Sequence, residues 1–167
     1  MKRIALLSIM MLIALCSQAQ IYSSEACFYL GAGESITSKR SHCRIVKFKG
    51  NKLVTTGTDL FTIDRELRRN PNYYEEKGLD RCLELTYNSS LSTSSEYVYS
   101  GYSPAIRNDT GFAIYYTPAT YYKAVFNKDN STIKWYSKDE EDSDYRVCYY
   151  VRVPKSEVLP VSNGFIE

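Results

Sequence analysis

The chain has 167 residues, 44% of them hydrophobic and 24% charged, which suits one folded domain with a real core and argues against disorder. It carries 21 Lys and Arg against 19 Asp and Glu; setting aside Lys2 and Arg3 in the leader leaves 19 of each sign. A neutral mature chain lacks the cationic surplus that nucleic acid demands, so no nucleic-acid partner is expected. The single histidine removes most histidine-based catalytic and metal sites.

The N-terminus reads as a secretory signal peptide over residues 1–19. Lys2 and Arg3 form a basic start, Ile4 to Leu15 an apolar run, and Ser17 and Ala19 the small residues of a cut after Ala19. The apolar run of about 12 residues is shorter than the roughly 20 needed to span a bilayer, so no transmembrane span is expected in the mature chain. The protein is expected to be exported, to a periplasmic or extracellular location. The alternative is a lipoprotein anchored through Cys16, although Leu15 is large for the residue before a lipidated cysteine. Cleavage after Ala19 leaves Cys27, Cys43, Cys82 and Cys148. An even count in an exported chain predicts two disulfides with pairing open, against the alternative of buried free thiols. Should Ala26–Leu30 and Arg44–Phe48 be antiparallel neighbours, Cys27 and Cys43 lie at opposite ends of that pair, which disfavours a bond between them.

Residues 20–160 read as a single domain and 161–167 as a tail. The fold class expected is β-rich α+β, mainly an antiparallel sheet, whether open, rolled or barrel-like, with one short helix near 59–69. Strands are expected at Ala26–Leu30, Arg44–Phe48, Leu53–Thr56, Leu83–Tyr87, Glu96–Tyr102, Phe112–Thr117, Tyr121–Asn127, Thr132–Tyr136 and Val147–Val153, where β-branched and aromatic runs alternate with turn formers. Gly50-Asn51 and Lys128–Ser131 mark two hairpins. Alternation puts Tyr122, Ala124 and Phe126 on one strand face, and Ile133 and Trp135 on one face of the next. Leu60, Ile63 and Leu67 carry helical spacing, with Asp59 or Thr58 as cap and Asn70-Pro71 as stop. Ser89–Ser95 reads as a polar loop, and Lys155–Leu159 as a last helical turn.

Tyrosine is the strongest functional signal. All 16 lie in the mature part, several as doublets whose rings must diverge on a strand. An outward row of Tyr offers rigid apolar area with a polar handle, suited to a glycan, peptide or protein ligand. The opposing view is that Tyr merely fills half-buried strand positions. The candidates for an exposed ligand-binding cluster are Tyr97, Tyr99, Tyr102, Tyr115, Tyr121 and Trp135.

The other motifs point to no defined chemistry. His42 and Cys43 are strand neighbours that diverge, so they form no dyad together. Among Lys39, Arg40, Arg44, Lys47, Lys49 and Lys52, Arg44 falls on the face opposite Lys47 and Lys49, which splits the charge. Asp139–Asp144 is acidic but lacks the spacing of a calcium loop. No cofactor, metal site or catalytic residue is expected. The leading reading is a non-catalytic exported binding or interaction protein with a Tyr-rich sheet face; the alternative is a small secreted carboxylate-based hydrolase acting on glycans.

Ser92–Tyr99 (STSSEYVY), Ala124–Tyr136 (AVFNKDNSTIKWY), Val153–Pro160 (VPKSEVLP) and Asn72–Glu75 resemble segments of small exported proteins of gut-dwelling Gram-negative bacteria. The resemblance implies export and a bacterial source. It implies no activity and no site residues.

Overall fold

The computed structural model describes residues 25–35, 41–76, 83–109 and 114–158. Residues 1–24 with Cys16, residues 159–167 with the expected tail 161–167, and Lys39, Arg40 and Cys82 lie outside the described residues. Ten strands are present among those described: β1 Cys27–Gly31, β2 His42–Lys49, β3 Lys52–Asp59, β4 Leu83–Tyr87, β5 Glu96–Ser103, β6 Ile106–Asp109, β7 Ile114–Thr117, β8 Thr120–Asn127, β9 Thr132–Asp139 and β10 Arg146–Val153. Three helical segments accompany them: α1 Leu60–Arg69, α2 Tyr73–Glu76 and α3 Lys155–Val158.

Eight strands close into an antiparallel barrel in the order β1-β2-β3-β4-β5-β8-β9-β10, and β10 returns to pair with β1. Of the three sheet forms open to the sequence, the closed one is adopted. β6 and β7 make a separate two-stranded hairpin inserted between β5 and β8. The closing ladder sets Phe28 against Val153 and Gly31 against Tyr150. Closure satisfies every ladder edge, so the barrel presents no raw strand to solvent.

Alternation divides each strand between two cores. The interior holds Tyr29, Val46, Phe48, Leu53, Leu85, Tyr99, Ala124, Phe126, Ile133, Trp135 and Tyr150. Phe126 is the hub of its aromatic packing, with edge contacts to Tyr29, Phe48 and Tyr99 at centroid distances of 5.4–6.0 Å. Where the rings crowd, glycine makes room: a Cβ on Gly101 would stand 2.7 Å from Leu85 Cδ2 and 2.9 Å from the Glu84 carbonyl. Gly50 turns the β2–β3 hairpin with φ at 63°, a value costly for residues with a Cβ.

The second core lies outside the barrel. Phe28, Leu30, Cys43, Ile45 and Val54 on the outer face of β1–β3 meet Leu60, Ile63 and Leu67 of α1, with Tyr74 and Val158. The Asp59 carboxylate caps α1 by accepting from the Thr62 N–H at 2.8 Å. The three apolar positions of α1 are buried, worth about 1.5–3 kcal/mol each. Lys47, on the same outer face of β2, is buried and donates to the Tyr74 carbonyl at 3.0 Å.

Of the four cysteines expected to form disulfides, the three that are described carry no bond, and Cys82 lies outside the described residues. Cys27, Cys43 and Cys148 are free thiols, and two disulfides among four cysteines would require at least one bond between these three. Their positions prevent it. Cys27 sits opposite Val46 and faces the interior, whereas Cys43 sits opposite Leu30 and faces α1. Cys148 is exposed on β10, beside Trp135, at the opposite end of the β1–β10 ladder from Cys27. Burial pushes the Cys27 thiol up and the Cys43 thiol up to about 12, so both stay protonated and inert at neutral pH.

Candidate functional site

The helices cover one side of the barrel. The other side, the outer face of β5, β8, β9 and β10, carries no helix among the described residues and is dense in tyrosine and lysine, with Val98 and Val125 buried within it. Cross-strand register sets out its rows. Tyr102, Tyr121 and Lys138 form the first, and Ser100, Lys123, Tyr136 and Val147 the second. Val98, Val125, Lys134 and Tyr149 follow. Tyr102 and Tyr121 are 47% and 40% exposed and their rings meet at a tilt of 46° with centroids 4.9 Å apart. The Lys123 ammonium lies 4.2 Å from the Tyr136 ring centroid and 5.5 Å from that of Tyr145. Tyr136 and Tyr145 meet edge to face at 6.2 Å. Val147, Tyr149 and Val151, alternate residues of β10, extend the exposed apolar surface. Lys134 is held by Glu96 at 3.2 Å, and this partner raises its pKa. Desolvation among its neighbours, then Glu140, raises the pKa of the Tyr102 phenol.

Only part of the expected Tyr cluster is on this face. Tyr102 and Tyr121 are there. Tyr99 and Trp135, 0% and 4% exposed, are corrected to interior core residues. Tyr97 is half-buried on the interior side, under Lys128 at 3.5 Å from its ring centroid. The reason is parity: 97 and 99 share a face of β5 that 102 cannot share. Tyr115 belongs to β7 and its side chain lies outside what is described. Tyr136, Tyr145 and Tyr149 were missed. The alternation of Val147, Tyr149 and Val151 against inward Tyr150 was the available signal for the last.

The barrel has a second notable feature, at the end where β1 leaves and β2 enters. Arg44 points inward from β2, its guanidinium carbon 3.6 Å from the Trp135 ring centroid and 5.4 Å from that of Tyr150. The Tyr150 hydroxyl lies within hydrogen-bonding reach of it. Desolvation lowers the Arg44 pKa and raises that of Tyr150. His42 Nε2 and Arg44 Nη2 converge on Gly57, where a Cβ would stand 3.7 and 3.2 Å from them. Beside it, at the β1–β10 rim, a cleft of about 430 Å³ is lined by Gly31, Ala32, Glu34, His42, Cys148, Tyr149 and Tyr150, and not by Arg44. The Glu34 carboxylate accepts from the His42 backbone N–H. His42 and Cys43 diverge as strand neighbours should, His42 to this mouth and Cys43 beneath α1.

Other motifs have structural partners. Asp139 accepts from Thr120 at 2.8 Å and, with Asp142, pairs with Arg146. No cluster of His, Cys, Asp and Glu suited to a metal occurs among the described residues. No helix among them is long and apolar enough to cross a membrane. Comparison with known protein families, with curated proteins and with solved structures found no match.

Proposed function

We propose that the protein is a non-catalytic exported binding protein whose Tyr- and Lys-rich barrel face docks another macromolecule. The observation that carries this reading is the asymmetry of the barrel's exterior. One side is sealed by α1–α3; the other leaves Tyr102, Tyr121, Tyr145, Val147, Tyr149 and Val151 exposed together. Contiguous exposed apolar surface of this kind marks interaction sites rather than ordinary monomer surface. Tyrosine is enriched in such sites because it adds contact area at small entropic cost.

Lys123 and Lys138 among the rings favour an acidic protein surface over a neutral glycan. Export rests on the leader, with a periplasmic, extracellular or Cys16-anchored location as its forms. Four of the described acids that the hydrolase alternative could draw on have structural partners instead: Asp59 caps a helix and Glu84, Glu96 and Asp139 are held in ion pairs.

The test compares the mature protein with a Tyr121→Ser/Tyr149→Ser variant in crosslinking capture of envelope and extracellular proteins from its native host, alongside a glycan array. A partner captured by the parent and lost with the variant, at a temperature where both proteins remain folded, supports the reading. Capture that is indifferent to both tyrosines, or a hit confined to neutral glycans, overturns it.

A further inference from the structure

We propose that the cleft at the β1–β10 rim is a separate site for a small primary ammonium ion with an apolar or aromatic body, and that Glu34 receives the ammonium. The local sequence builds the receptor. Gly31-Ala32-Gly33-Glu34 makes a tight turn as β1 ends, closed by the Glu34 N–H donating to the Gly31 carbonyl at 3.0 Å. Gly33 supplies a positive φ of 88°, which glycine adopts without steric cost. The Ala32 N–H donates to the Tyr149 carbonyl at 2.7 Å and so ties the turn to β10. Turn and strand together line the cleft of about 430 Å³, a volume within the usual range for small-ligand pockets.

Glu34 sets the charge of the ligand. Among Asp, Glu, Lys and Arg it alone lines the cleft. Its carboxylate folds back over the end of β1, where a Cβ on Gly31 would stand 2.8 Å from Glu34 Oε2. The same oxygen accepts from the His42 backbone N–H. A neutral donor therefore holds the carboxylate in place, and no lysine or arginine among the described residues forms an ion pair with it. A carboxylate with one N–H partner keeps lone pairs for further donors. An ammonium fills them with charge-assisted hydrogen bonds, about twice as strong as neutral ones.

The remaining walls select the rest of the ligand. Tyr149 and Tyr150 line the cleft with Ala32 and Cys148. Tyrosine rings pack against an apolar body and attract a cation at their faces. Glu34 lies close enough to the Tyr150 phenol to act on it electrostatically, so carboxylate and ring share one space. Arg44 donates to the Tyr150 hydroxyl without lining the cleft, and its charge disfavours a second cationic group on the ligand. A divalent metal ion needs more oxygen ligands than one carboxylate provides, and no group of three His, Cys, Asp or Glu suited to a metal occurs among the described residues. One carboxylate with aromatic walls thus fits a singly charged amine rather than an anion or a metal ion.

Tyr149 also belongs to the proposed docking face, but Glu34 does not, so the two readings fail separately. The full mature protein is titrated calorimetrically with 2-phenylethylamine and, in parallel, with the neutral 2-phenylethanol. The expected result is saturable binding of the amine and roughly tenfold weaker binding of the alcohol, from the loss of charge-assisted hydrogen bonds. Glu34→Gln keeps an acceptor for the His42 N–H and removes only the charge; it should weaken the amine to the level of the alcohol. Bound amine should also slow alkylation of Cys148 by iodoacetamide, which locates the ligand in this cleft. Should Glu34→Gln fail to fold, Ala32→Trp, which fills the cleft from an exposed turn position and keeps Glu34, must abolish binding. Equal affinity for amine and alcohol, no saturable response at millimolar amine, alkylation of Cys148 indifferent to bound amine, or undiminished binding in either variant each overturns the proposal.

Discussion

The Tyr29 hydroxyl donates to the Asn130 carbonyl at 2.8 Å, tying β1 to the β8–β9 turn across 101 positions of sequence. Tyr29 is fully buried, and burial pushes its phenol well above the usual tyrosine range. Tyr29→Phe keeps the ring and its contact with Phe126 but leaves that carbonyl without its donor. It should cost about 1 kcal/mol in urea unfolding. Tyr29→Ala should cost about 3–5 kcal/mol, because a large buried volume is lost as well.

The two classes of tyrosine should separate cleanly by stability. Tyr149→Ser, on the exposed face, is expected to change stability by less than about 0.5 kcal/mol. Tyr121→Ser also loses the tilted ring contact with Tyr102 and should cost about 0.5–1.5 kcal/mol. Tyr99→Ala, in the interior, should cost about 3 kcal/mol or more. Thermal denaturation of the three single variants checks the order.

Raising pH should destabilise the fold on the alkaline side. Cys27, Cys43, Tyr29 and Tyr150 all have folded-state pKa values above their ordinary ones, chiefly through desolvation. Above about pH 9 the unfolded chain begins to release protons that the folded chain retains. Unfolding then binds fewer protons than folding, so stability falls with pH. Their contribution is whole below pH 9 and is lost as pH climbs past the unfolded values toward the folded ones, about 12 for Cys43. Denaturant midpoints between pH 7 and 11 should stay level first and then drop. A midpoint that rises above pH 9 would contradict the assignment of these groups as buried and neutral.

Thiol labelling gives an independent check of the free cysteines. Iodoacetamide should modify Cys148 in the native protein, and Cys27 and Cys43 only after denaturation, with peptide mapping to assign the sites. Protection of Cys27 and Cys43 even in denaturant, relieved only by reduction, would restore the disulfide expectation.

Gly101→Ala tests the packing of β5 on β4. The added methyl would meet both Leu85 and a backbone carbonyl closer than real Cβ contacts allow. A loss of about 1–3 kcal/mol is expected, read from the thermal midpoint.

Local pattern made most of the strands and α1 readable in the sequence, because Val, Ile and Tyr runs end at turn formers and Leu60, Ile63 and Leu67 repeat at helical spacing. Asp59 and Asn70-Pro71 bound that helix as their chemistry requires. β6 escaped notice because Ile106–Asp109 is short and polar. Alternation shows which residues share a face, as it did for Ile133 and Trp135, but not which face is inside. That depends on β10 reaching back to β1, a pairing with no local signature. Trp135 and Tyr99 were therefore readable as strand residues but not as core. Arg44 was separable from Lys47 and Lys49 by parity alone, yet its meeting with Trp135 required the closed barrel. The cysteine count suggested a framework of bonds that the three described thiols, split between strand faces and ladder ends, do not make.

The ladder between β1 and β10 makes completion of the barrel a late event in the life of the chain. β1 emerges from the ribosome before every other barrel strand, and β10, its second neighbour, after all of them. Until then the growing sheet has two open margins that invite pairing with other chains. Shortened chains that stop before Arg146 should accordingly accumulate as aggregates, even though they retain seven of the eight barrel strands.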